Sequence, residues 1–213
     1  MSQLELWLRY FMVWPGHPGD REISQGDVLI ALAFGRNSWS DEEVQLTCDY
    51  RDTYPSDSPL ERIRVRGFSP GQPNRELAQA AQQVVDRYEI PALVQWEIGA
   101  ALDPSWLASP RRHIACLWPD KVKSYFSTED VLSQAYQLCQ QHGLRRPIIL
   151  AHQRQVVRVA LMTRKIFGRT PLVVSTTVSS FDHNSTQLWT TSPIVWSPRE
   201  LVARAYCLAQ RLV

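Results

Sequence analysis

Apolar and polar positions alternate in long blocks along this chain, and the blocks change period. Asp27 to Phe34 is a nearly continuous apolar run, the pattern of a strand buried on both faces. Residues 74–88 then repeat apolar residues at helical spacing (Leu77, Ala81, Val84, Val85, Tyr88), with Asn74 placed to cap that helix. Ala92 to Trp96 is a second apolar run and ends at Glu97. Ile114 to Trp118 is a third.

Ser127 opens a helix predicted to reach His142, with Glu129 and Asp130 in its first turn and Gly143 beyond its end. Pro147 to Ala151 forms another strand and is followed by the polar turn His152 to Gln155. A helix to Phe167 and a strand from Leu172 to Ser175 complete that unit. The spacing also predicts a last helix from Pro198, with Ser197 to Glu200 as its capping box and Leu201, Val202, Ala205, Leu208 and Leu212 as its packing face.

Strand and helix alternate throughout. That order predicts an α/β fold: a Rossmann-like three-layer sandwich, with a mostly parallel sheet and helices on both faces. One domain over residues 1–213 is expected, since roughly 150 residues per domain is a soft prior that α/β folds often exceed. Residues 1–26 read as an N-terminal extension. Residues 42–72 read as an irregular insertion or lid, with strands expected at Val44 to Cys48 and Ile63 to Val65.

Composition narrows the function classes. A net charge of +2 gives no reason to expect a nucleic-acid partner or a charged membrane surface. No apolar run reaches the roughly 18 residues that span a bilayer, and no basic segment precedes the apolar stretch near the start, so a soluble cytoplasmic protein is expected. Cys48, Cys116, Cys139 and Cys207 lack CxxC spacing and are expected as buried reduced thiols. The five histidines lack metal-ligand spacing, so no metal is expected, and no motif names a cofactor. Of the eight tryptophans, several fall at loops and strand ends, where they serve core packing, a subunit interface in a homo-oligomer, or a pocket wall.

In open α/β sheets, ligands bind at the carboxyl ends of the strands. Four segments should meet there. Gly35, Arg36 and Asn37 follow the first strand: the glycine permits close backbone approach, and the arginine can hold an anion. Glu97 follows the second and can act as a general base. Ser127 and Thr128 open a helix whose free amides suit an anionic group. His152, Gln153, Arg154, Gln155 and Arg158 follow the fourth strand. His152 titrates near neutrality and is a candidate acid/base, while Arg154 and Arg158, four apart, can clamp an oxyanion. Neither GxGxxG, GxxxxGK[ST] nor GxSxG occurs, so none of those chemistries is indicated.

Several of these segments are similar to motifs of the YdcF-like family, a bacterial domain of unknown function that includes the SanA and ElyC envelope proteins. Asp27 to Gly35 resembles the family's first strand, with one glycine where two or three are usual. Tyr88 to Glu97 resembles its "G-v-P" strand ending in Glu. Tyr125 to Asp130 echoes "S-x-N-T-x-E-N", with Thr128 at the Thr and Asp130 where an Asn is usual. Ala151 to Val159 looks like "T-S-x-x-H-x-x-R-A", with Arg158 at the Arg, His152 at the Ser and Gln155 where the family has His. The resemblance implies a Rossmann-like fold with a polar pocket at the strand ends. Arg36 and Arg158 at those ends point to a small anionic or nucleotide-like metabolite as its ligand. With Gln155 in the His place, His152 substitutes as acid/base, or the site binds without reacting; a third reading is an accessory or interaction protein whose Trp-rich surface meets a partner.

Overall fold

A computed structural model describes residues 23–35, 70–103, 106, 114–118, 126–174 and 178–209. Five strands form one all-parallel sheet: β1 (Val28–Ala31), β2 (Ala92–Gln95), β3 (Ile114–Leu117), β4 (Pro147–Leu150) and β5 (Leu172–Val173), in the spatial order β3-β2-β1-β4-β5. The register is continuous across the centre, with Leu29 opposite both Ala92 and Ile148. The helices are α1 (Gln72–Tyr88), a single turn α2 (Trp96–Gly99), α3 (Thr128–Gln141), α4 (Val156–Phe167) and α5 (Pro193–Ala209). A short 3-10 turn at Leu188–Thr190 precedes α5.

The pleat sorts the apolar runs onto two faces. Leu29, Ala31, Val94, Ile148 and Leu150 face α1 through Leu77, Ala81 and Val85. Val28, Ile30, Leu93, Leu117 and Ile149 face α3 and α4 through Val131, Leu132, Ala135 and Val159. Unbroken apolar runs are required because both faces are covered, which is the Rossmann-like α/β arrangement. The chain first builds outward from β1 to β3, then returns across the sheet to β4. Strand order therefore reverses between β1 and β4, and a crevice opens at such a point.

The amino edge of the same strand pair is closed by Asp27. Its carboxylate accepts from the Arg145 and Arg146 amides at 2.9 and 3.0 Å and from the Arg146 guanidinium at 3.1 Å. Burial raises its pKa, but these bonds outweigh burial and hold it below the usual carboxylate value. The Asp that starts the first strand is thus structural, at the end remote from the crevice.

Two helix starts differ from the sequence expectation. Asn74 is not a cap: α1 begins at Gln72 behind Gly71, whose φ of 79° is in glycine's left-handed region. Asn74 instead lies inside the first turn, fully buried. α5 begins at Pro193, so Pro198 lies inside it rather than at its start, and the Ser197 hydroxyl donates to the Pro193 carbonyl at 2.7 Å. Two residues of the expected packing face point outward; Ala205 is half-buried, and the Leu208 side chain and Leu212 lie outside the described residues. Leu201 is 51% and Val202 71% exposed, while Trp196 and Glu200 are buried. The reason is what α5 lies against: α4 and the 3-10 turn around the crevice, with Trp196 packed on Phe34, rather than the face of the sheet.

The expected strands at residues 44–48 and 63–65, Arg36, Asn37, Cys48 and the Cys207 side chain lie outside the described residues. Cys139 is buried and Cys116 half-buried, both as free thiols. Burial pushes the Cys139 thiol up to about 11. No helix among the described residues is long and apolar enough to cross a membrane.

Candidate functional site

The loop after β1 is fixed from both sides. Gln95, at the end of β2, accepts from the Ala33 amide through Oε1 at 3.0 Å. Asn74 Oδ1 accepts from the Phe34 amide at 2.8 Å, while its Nδ2 donates to the Gly35 and Pro70 carbonyls at 3.0 and 2.7 Å. Gly35 sits at φ +76°, and a Cβ there would come within 2.6 Å of Thr190 Oγ1. Glycine is required here for its backbone angle and for the close passage of the 3-10 turn.

A cavity of about 90 Å³ opens at this edge. Its walls come from every junction that should converge there. The β1 end supplies Phe34 and Gly35, and the β2 end Gln95 and Glu97. The start of α3 supplies Thr128, and the β4–α4 junction Gln155 and Arg158. The last part of the chain closes it with Trp189, Thr190, Trp196, Arg199 and Glu200. Glu97 and Arg158 thus face one shared hollow. Glu97 is only 3% exposed, on the turn that follows β2.

Arg158 is not a free anion clamp. Its Nε donates to Glu200 Oε2 at 3.0 Å and its Nη1 to Thr128 Oγ1 at 2.8 Å. Glu200 also accepts from Arg204 Nε at 3.1 Å. Burial pushes the Glu200 carboxyl up, and the two guanidiniums pull it down less than burial raises it. Arg154 is exposed and outside the cavity lining, with its carbonyl accepting from Arg204 Nη2 at 3.2 Å. The expected pairing of Arg154 with Arg158 therefore does not form a clamp.

Ser127 is likewise not on the cavity wall. Its hydroxyl accepts from the Asp130 amide and donates to the Asp130 carboxylate at 2.6 Å, a closed capping box. The anion expected at this helix start has its place taken by the Asp130 side chain.

His152 is fully buried, and it does not line the cavity. Its ring stacks on Phe34 with centroids 3.6 Å apart and meets Phe181 edge-on at 5.3 Å. Nδ1 accepts from the Arg154 amide at 3.2 Å, which leaves Nε2 as the protonated nitrogen, 3.0 Å from the Ser180 carbonyl. Burial drives its pKa down to about 4, the nearby Arg154 charge adds to this, and the hydrogen bonds to Ser180 and Ser179 oppose it. The ring is a neutral peg that pins segment 178–182 onto the sheet edge. Gln153 N to the Val178 carbonyl (2.9 Å) and Ser180 Oγ to Glu76 (2.8 Å) fasten the same segment.

Two residues of the cavity wall differ from these. Gln155 Oε1 and Trp196 Nε1 are buried and meet no hydrogen-bond partner among the described residues. Gln155 is 6% and Trp196 5% exposed. Arg199, whose guanidinium carbon lies 3.4 Å above the Trp189 ring centroid, completes the wall. Trp189, Trp196 and Glu200 are site residues that the strand-end rule does not reach, and Gln95, at the end of β2, is one that it reaches but does not single out. The recoverable signal is in α5, where Trp196, Glu200 and Arg204 recur every fourth residue and so share one side of the helix.

No group of His, Cys, Asp and Glu among the described residues could hold a metal ion. Comparison with known proteins finds no matching family model, no similar curated protein and no similar solved structure.

Proposed function

We propose that this protein binds a small polar metabolite in the cavity at the carboxyl ends of β1, β2 and β4, a pocket of the type the YdcF-like resemblance implies. The observation that carries the reading is convergence. Glu97, Thr128, Gln155 and Arg158 come from three different strand and helix junctions and line one hollow at the topological reversal of the sheet. An anionic or nucleotide-like ligand would place its charge beside Arg158 or Arg199. Binding without turnover is favoured over catalysis, because both nitrogens of His152 are engaged by backbone and the ring lies off the cavity wall.

A catalytic reading rests on Glu97, a buried carboxylate on the wall and the remaining candidate base among the residues singled out above. The two readings separate in one experiment. Thermal unfolding and calorimetry are run with AMP, glucose phosphate, citrate and glucose on the wild type and on Ala203→Trp, which fills the cavity from α5. At least one ligand should raise the unfolding midpoint, and the filled variant should lose that response while keeping its circular dichroism. Saturation at about 100 times Kd corresponds to about 2.7 kcal/mol of added stability. Absence of any response, or an equal response in Ala203→Trp, overturns the pocket reading. Product formation that vanishes in Glu97→Gln while binding persists converts the binder into an enzyme.

A further inference from the structure

We propose, resting on that pocket reading, that the part of the ligand held between Gln155 and Trp196 is an uncharged hydroxyl of a polyol or sugar-like moiety. The two orphaned atoms have opposite character: Gln155 Oε1 accepts and Trp196 Nε1 donates. A hydroxyl donates one hydrogen bond and accepts others, so a single ligand group can satisfy both. A carboxylate or phosphate oxygen would satisfy the indole but set acceptor against acceptor at Gln155. An ammonium would satisfy Gln155 and leave the indole without a partner.

Charge points the same way. The lining carries two carboxylates, Glu97 and Glu200, and two guanidiniums, Arg158 and Arg199, so its formal charges balance. Arg158 already serves Glu200 and Thr128, and Arg199 lies over Trp189. Trp196 and Phe126 in the lining offer apolar surface to the C–H groups of such a moiety. Buried polar atoms without partners are rare in folded proteins, and two of opposite character carried by residues of one cavity wall indicate the kind of group that should meet them.

The test reads the wild-type protein first. Glucose, ribose and inositol are titrated into 15N-labelled protein, with the Trp196 indole N–H signal, assigned through Trp196→Phe, as the probe. Inorganic phosphate and acetate serve as the anionic arm. At least one polyol should shift the indole proton, and calorimetry should show affinity falling about tenfold in Gln155→Leu, the size of one lost hydrogen bond to a ligand. Gln155→Glu, which keeps an acceptor and removes any donor, should retain the polyol. Two results overturn the proposal while leaving the pocket reading intact. One is an indole signal that responds to phosphate or acetate and to none of the polyols. The other is polyol binding that is lost in a folded Gln155→Glu, which would mean that the amide presents its NH2 to the ligand. If no ligand of either arm moves the signal and Ala203→Trp changes nothing, both readings fall together.

Discussion

His152 and Gln155 stand three residues apart on one turn, and both are buried, yet they lie in two regions governed by different rules. On the side of α1 and segment 178–182, the buried polar groups of Asn74 and His152 are satisfied by backbone partners. On the side of α5, Gln155 and Trp196 each leave an atom without one. The first region spends its polar side chains on holding loops that cannot form a ladder. The second keeps unpartnered polar atoms on residues that line a hollow. Burial and residue type alone do not tell these roles apart; hydrogen-bond satisfaction does.

The largest test of this contrast is Asn74→Ala. It removes three hydrogen bonds and leaves the buried Phe34 amide without its acceptor, in the loop that carries Gly35. A loss of about 4 kcal/mol is expected by denaturant unfolding, from one orphaned buried amide, two weakened carbonyls and a small void. A loss below about 1 kcal/mol would mean that the β1 loop is not held from α1 at all.

His152 gives the next effect, through pH. Its folded pKa of about 4 lies below the ordinary histidine value of about 6.5, so the unfolded chain binds the proton more readily. The neutral ring's contribution is complete above pH 6.5 and is lost as pH falls toward 4, a change of roughly 3 kcal/mol. Burial of Glu200, with its raised pKa, acts in the opposite sense, stabilising the fold as pH falls, so the comparison must be made against a variant. His152→Asn should flatten the stability profile between pH 4 and 6.5 while leaving ligand affinity at pH 7 within a few-fold of wild type. Loss of the ligand alone, with an unchanged pH profile, would place His152 in the second region.

Much of the sheet was legible because burial on both faces writes strands as unbroken apolar runs: Val28 to Ala31, Ala92 to Gln95 and Pro147 to Leu150 needed no other cue. The Ser127 cap was legible for a local reason, since both partners lie within three residues. The strand-end rule placed Gly35, Glu97, Thr128, Gln155 and Arg158 at one edge, where the cavity lies. It could not separate His152 from Gln155, because the partner that occupies the His152 ring is Ser180, 28 residues on. Nor could it show that Arg158 meets Glu200, 42 residues away, on a helix whose start was hidden by a strong but unused proline signal at Pro198. Local chemistry is readable in order along the chain, whereas satisfaction is a property of contacts between distant segments.

The smallest expected effect sharpens the contrast most, because its sign is unusual. In the ligand-free protein Gln155→Leu exchanges a buried amide, whose oxygen lacks a partner, for an apolar side chain of similar size. A buried polar atom that gains nothing from its surroundings has lost its water without compensation, so its removal should stabilise the fold, by about 1 kcal/mol. The same kind of exchange at Asn74 should destabilise severalfold more, since there the amide's bonds are made. Opposite signs at two buried amides, measured by the same denaturant titration, are what the two-region picture demands. A destabilised Gln155→Leu would show that the Gln155 oxygen already has a partner in solution, and the wall of the cavity would then belong to the first region rather than the second.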